Sequence, residues 1–359
     1  MTDSPPPDDP IEPRRGPAPP VAGDDLLPPV EPPSAGFIIQ LFVVPALIVM
    51  VVVAIWVVFT WLVHRTTMKP EDLIQGLRGS SVARWQRASE LADMLRNERF
   101  ADFRQNASAA RELADILDNE IDDASAGQGM DELDVTLRYF LARALGEFRV
   151  EEGLDVLVNA ATTNRDPREA IVRRGAVQAI AVRAHNLAEL DPPQLLDDRQ
   201  LDDALARLAT DEDNLVRSET AFALGQIGTP ASVALLERMV EDAHADTRYN
   251  AALALARHGN AAGMEVLAEM LDPSEPASAA EEPNERDQYF KRSLIITNAL
   301  EAVDALAADQ QHVDFTPVID ALDRLTNASD DDLATARIAP TIVPRARETL
   351  GRLQRLAAQ

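Results

Sequence analysis

The residues able to do chemistry in this chain are few and dispersed. Its five histidines, His64, His185, His244, His258 and His312, form no HExxH pair and no short metal-binding spacing. Cysteine is absent, which removes thiolate nucleophiles, disulfides, Cys-ligated zinc and iron-sulfur clusters. No GxxxxGK[ST] or GxGxxG loop offers a phosphate cradle. Asp202-Asp203 and the run Asp330 to Asp332 set carboxylates side by side, but without EF-hand alternation or its central glycine they read as solvated loop charge. The expectation is therefore no catalytic residue, no metal site, no cofactor and no enzymatic activity.

What recurs instead is arginine. In VTLRYFLARALGEF, LVRSETAFALGQIG and DTRYNAALALARHG, Arg138, Arg217 and Arg248 each stand eight residues before Gly146, Gly225 or Ala256. Weaker copies carry Arg84 with Ala92 and Arg173 with Ala181, and KRSLIITNALEA is a looser one. Ala and Leu at helical spacing surround each arginine. Between these stretches lie second amphipathic ones: LDVLVNAA, LDDALARLA, ASVALLERMVED, AAGMEVLAEML and TPVIDALDRL. Each unit reads as a helical hairpin closed by a Gly or Pro turn. One such hairpin cannot cover its own apolar stripe, whereas stacking pair on pair buries it, so the fold class expected is all-α, an α-solenoid. Small alanines allow close helix approach, which reconciles a 46% hydrophobic content with only 4% aromatics.

Residues 213–272 resemble two consecutive HEAT repeats of the short bacterial type, the HEAT-like repeats of phycobilisome-lyase type, with fainter copies over 131–187, 80–121 and 286–357. The resemblance implies protein binding without naming a partner. It also implies that an arginine early in the first helix, with an Asp shortly before it, belongs to a polar ladder between repeats. Asp213 with Arg217 and Asp246 with Arg248 match that arrangement, and Arg138 and Arg173 extend it. The second helices are implied to line the concave face, where Glu237, Arg238, Glu241, Glu265 and Glu269 fall at exposed helical spacing. Such a groove would be acidic and would favour a basic protein partner. Bilin lyases share HEAT-like repeats, so an enzyme or chaperone acting on a client protein is the alternative. Two intervals, Arg173 to Arg217 and Arg248 to Arg292, stretch to 44 residues against 31 between Arg217 and Arg248. They hold the insertions LDPPQLLDDRQLDD and DPSEPASAAEEPNERD, candidate partner contacts, and the second (residues 273–287) is expected to be mobile.

Ahead of the solenoid, Phe37 to Val63 run for 27 residues without a charge, where a bilayer core needs about 20. The run is too long, and follows too acidic a tail, for a cleaved signal peptide. It reads as a transmembrane helix, with Gln40 and Pro45 near one end and Trp56 and Trp61 toward the other. Arg65, Lys69 and Arg78 follow the run while the 20 residues before it hold no Lys or Arg, so the C-terminal bulk is expected in the cytoplasm of a bacterium, at its inner membrane. The layout expected is a disordered acidic tail over 1–36 with 12 of the 24 prolines, the span at 37–63, a linker at 64–79 and the solenoid over 80–359.

Charge narrows the partner further. Against 34 Lys and Arg stand 60 Asp and Glu, a net charge of -26 over 359 residues. Phosphate backbones are held by clustered cations, and none cluster here, so no nucleic-acid partner is expected. Nothing in the pattern sets an oligomeric state.

Overall fold

A computed structural model describes residues 34–65, 69–79, 82–127, 131–274, 278–309 and 313–358 of the chain. The acidic tail falls almost wholly outside them. The chain divides into two units, 1–67 and 68–359.

The described part of the first unit is one helix, α1 (Ala35–Arg65), with Pro45 inside it. Its stretch Ile39–Thr60 has a mean hydropathy of 3.1 and no residue of its apolar window is buried. Those 22 residues extend about 33 Å at 1.5 Å each, enough for a hydrocarbon core of about 30 Å.

The second unit is all helix among its described regular elements. Six first helices, α3 (Arg84–Leu95), α5 (Glu132–Gly146), α7 (Ala170–Ala188), α9 (Asn214–Ile227), α11 (Ala245–Arg257) and α13 (Glu285–Asp309), alternate with six second helices. The latter are α4 (Ala107–Ser125), α6 (Leu154–Ala161), α8 (Arg199–Leu208), α10 (Pro230–Met239), α12 (Met264–Leu271) and α14 (Thr316–Asn327). Each of the five second stretches marked out in the sequence falls largely on one of these helices, with up to three residues running past an end. Ahead of the stack stands α2 (Pro70–Leu77), and α15 (Asp330–Thr335) and α16 (Val343–Ala357) close it. α2 falls in the stretch expected to be linker. Leu73, Ile74 and Leu77 bury it in the common core, so the helical unit starts before residue 80.

Short-range chemistry fixes the helix ends. Asn106, Asp131, Asp198 and Asp213 each accept a backbone N–H of the helix they precede. Gly228, at φ +66°, ends α9 in the left-handed conformation. Pro230 then begins α10 behind its Thr229 cap.

Between first helices the contact is close enough to require missing side chains. A Cβ on Gly146 would lie 2.5 Å from the Cα of Ala179, and one on Gly225 would lie 2.6 Å from the Ala254 Cβ. Small residues therefore set the stacking distance, and leucines fill the interior: Leu141, Leu145, Leu205, Leu224 and Leu255 are fully buried.

Candidate functional site

The recurring arginines form a connected ladder. Arg173 holds Asp211 with two parallel hydrogen bonds of 2.8 Å, Arg217 holds Asp242 at 2.8 and 3.1 Å, and Arg248 holds Glu269 at 3.3 and 2.6 Å. Each arginine also reaches backward to main chain. Nη1 of Arg217 donates to the Asp211 carbonyl at 2.8 Å, and Nη1 of Arg248 to the Asp242 carbonyl at 2.9 Å. Asp211 and Asp242 therefore serve two repeats at once, the carboxylate binding the preceding arginine and the carbonyl the following one. Glu120 does the same, pairing with Arg84 at 2.6 Å and accepting from Arg138 at its carbonyl at 3.4 Å. Further on, the two roles separate by one helical turn: Glu269 takes Arg248, while the Asp272 carbonyl takes Arg292.

The acids expected to join this ladder have other work. The carboxylate of Asp213 caps its own helix, accepting from the N–H of Val216 at 2.9 Å. Asp246 meets Lys291 at 3.0 Å and the hydroxyl of Ser278. The insertion expected to be mobile is fastened by these contacts over its described part. Ser278 and Ala279 are buried, and Lys291 ties Glu282 at 3.1 Å; residues 275–277 lie outside the description.

Burial makes the ladder consequential. Arg138 is 0% exposed beside an equally buried Glu169, 3.9 Å away, and burial lowers the guanidinium pKa from its ordinary value. Arg183, equally buried, donates to the carbonyls of Leu145 at 2.6 Å and Glu152 at 3.0 Å. Burial pulls its pKa down to about 10. Partial burial alone would raise Asp242, but the hydrogen bonds from Arg217 and from the His244 N–H bring it below the usual carboxylate value. Tyr249 donates to Glu269 at 2.9 Å, and burial followed by that negative charge raises its pKa.

Of the five residues expected on an acidic groove, Glu237, Arg238 and Glu265 are exposed on second helices, and Glu241 is exposed in the turn just after α10, which ends before it at Met239. Glu237 accepts from Asn260 at 2.7 Å. Glu269 differs, because Arg248 and Tyr249 occupy its carboxylate as a ladder rung. The histidines are similarly local: His185 lies 3.3 Å from Glu189, and Nε2 of His258 meets the Gly225 carbonyl at 2.9 Å. His312 lies outside the described residues. The carboxylate run Asp330 to Asp332 is the first turn of α15, closed by a capping box between Ser329 and Asp332.

A feature the sequence reading passed over lies between first helices. A hollow of about 420 Å³ is bordered by Tyr139, Arg143, Gln178 and Glu219, and another of about 310 Å³ by Asn250, Leu253, Arg257 and Glu301. Phe222, 42% exposed, borders both. Its signal was a large aromatic set in the alanine run AFALG, at a position the repeat leaves facing outward.

The HEAT-repeat family model matches residues 201–282. No curated protein matches the chain. Among solved structures, an engineered protein is similar at 16% identity and TM-score 0.33, covering 79% of this chain and 98% of its own. Escherichia coli YibA is similar at 18% identity and TM-score 0.34, covering 77% and 97%. Human deoxyhypusine hydroxylase in complex with glycerol matches at 16% identity and TM-score 0.26, covering 79% and 84%.

Proposed function

We propose that this chain is a membrane-tethered HEAT-repeat scaffold, a solenoid that docks another protein and performs no catalysis of its own. The observation that carries this reading is the use of charge. Its recurrent cations are taken up within the stack, Arg173 and Arg217 by acids at the opening of the next repeat and Arg248 by a carbonyl at the opening of its own repeat and by Glu269 of its own hairpin, while the helix faces left over form a hollowed surface suited to a macromolecule. The uncharged helix α1 would hold the solenoid at a bilayer, on the cytoplasmic side given Arg65, Lys69 and Arg78.

Fractionation of cells expressing the full chain or a chain lacking residues 1–63 tests the tether. The full chain should sediment with membranes and dissolve only in detergent, and the shortened one should be soluble and fully helical. Co-purification from solubilised membranes tests docking. A full chain found in the soluble fraction, or one that retains no protein stoichiometrically, overturns the proposal.

A further inference from the structure

The hollow beside the first insertion differs in kind from those between first helices. Around the first-helix hollow of about 420 Å³ the charges offset one another, Arg96 and Arg143 against Glu147 and Glu219. The hollow of about 390 Å³ between α6 and the segment 189–198 has one sign only: Glu151, Asp155, Asp197 and Asp198 border it, with neither Lys nor Arg. None of these four carboxylates is ion-paired among the described residues, unlike Asp211, Asp242 and Glu269. Asp198 is partly engaged as the cap of α8, accepting from Leu201 at 2.9 Å. Buried Arg183 sends its field toward Asp155, but its two terminal nitrogens already serve carbonyls. Arg199 begins α8 without bordering the hollow. The crowding extends to Asp202, whose pKa is raised by partial burial and then by Asp197, Asp198 and Asp203.

The floor is apolar, made by Leu154, Val158, Leu187 and Leu196. Two adjacent leucines of the insertion point to opposite fates. Leu196 is buried, and the N–H of Gln194 bonds to the Leu187 carbonyl at 3.0 Å, which pins the segment. Leu195 is 71% exposed at the rim. An exposed leucine over an apolar floor, ringed by carboxylates that no internal cation neutralises, calls for a ligand that is apolar and cationic together.

We infer that this hollow receives a basic amphipathic segment of a partner protein, its apolar side chains on Leu195 and the floor, its Lys or Arg on Glu151, Asp155 and Asp197. This deepens the docking reading and rests on it. The surface is the second-helix side of the stack, between α6 and α8, upstream of the exposed residues on α10 and α12.

The probe is a labelled Leu/Lys amphipathic peptide of about 14 residues, some four helical turns, with a Leu/Glu peptide of the same pattern as control. Binding to the full chain in phosphatidylcholine nanodiscs is read by fluorescence anisotropy, with empty nanodiscs subtracted. The Lys peptide should bind and the Glu peptide should not. The triple variant Glu151→Gln, Asp155→Asn, Asp197→Asn should weaken binding by about tenfold or more, three exposed pairs of modest strength acting together. Leu195→Ser, which leaves the charge unchanged, should weaken it as well, with helical content and Tm matching the parent. Equal binding by parent and triple variant would assign the attraction to the overall acidity of the chain and overturn the inference, as would no binding at all. Light scattering that shows a dimer dissolved by the triple substitution would make the occupant a second copy and overturn it too. If proteins co-purified from membranes persist with the triple variant, the scaffold reading stands and this hollow loses its role.

Discussion

Asp211 shows why the arginines were legible in the sequence and their partners were not. An Arg eight residues before a Gly or Ala recurs visibly, and nearness along the chain favours Asp213 as the acid for Arg217. But Asp213 stands at a helix N-cap, where its oxygen sits within reach of the Val216 N–H. Asp211, two residues earlier in the loop, instead faces back to Arg173 of the previous repeat. Sequence distance hides this because the bond spans 38 residues. Arg173 is 2% exposed, so Asp211→Ala would leave a buried cation without its carboxylate. The expected loss is about 3–5 kcal/mol, measurable by urea denaturation, whereas Glu212→Ala at an exposed neighbour should stay within about 0.5 kcal/mol. Acid should act through the same bonds. Because Asp242 has a folded-state pKa below its unfolded value, its contribution is full above the ordinary carboxylate value of about 3.9 and disappears as pH falls through the lowered one. Asp242→Asn should therefore flatten the acid limb of a stability-against-pH curve.

Elements were easier to read than their contacts. Repeated Ala and Leu spacing located the second helices, whereas α2 escaped notice. With eight residues it is too short to display a period, and only Leu73, Ile74 and Leu77 reveal its buried face. The second insertion has a composition that suggests mobility, yet Ser278 and, through Lys291, Glu282 are fastened to Asp246, a side chain remote in sequence that no local pattern announces. Helix stacking gives a paired prediction. Gly146→Ala gains about 1 kcal/mol of helix propensity, but its methyl would lie 2.5 Å from the Ala179 backbone. Forcing α5 from α7 costs about 1–3 kcal/mol, so the net effect should be a lower Tm. At Gly351 in α16 a methyl would find only the Arg355 guanidinium, at 3.5 Å, and Gly351→Ala should raise stability by about 0.5–1 kcal/mol. Calorimetry on the two variants should give shifts of opposite sign.

Over the whole molecule, the net charge of -26 is distributed unevenly between use and excess. Ladder carboxylates are neutralised by arginines, and Glu151, Asp155, Asp197 and Asp198 around the hollow beside α6 are not, so mutual repulsion is concentrated there. Raising salt from about 0.02 M to about 0.5 M shortens the Debye length from roughly 20 Å to about 4 Å. Buried pairs are screened little by this, and exposed repulsion is screened strongly. The Tm should therefore rise with salt, and a fall would mean that exposed ion pairs outweigh repulsion.

The double service of Asp211 and Asp242 also determines where the chain can be cut. A fragment ending at Ala209 would keep Arg173 and lose its acid, and one beginning at Asp213 would keep Arg217 and lose its carbonyl, although both cuts fall in a loop between helices. The seam visible in the helix pattern is thus displaced from the seam in the bonding. Shortened or recombined versions of this solenoid must carry the opening residues of the next repeat on their C-terminal edge, and repeat modules exchanged at helix boundaries would arrive with mismatched ends.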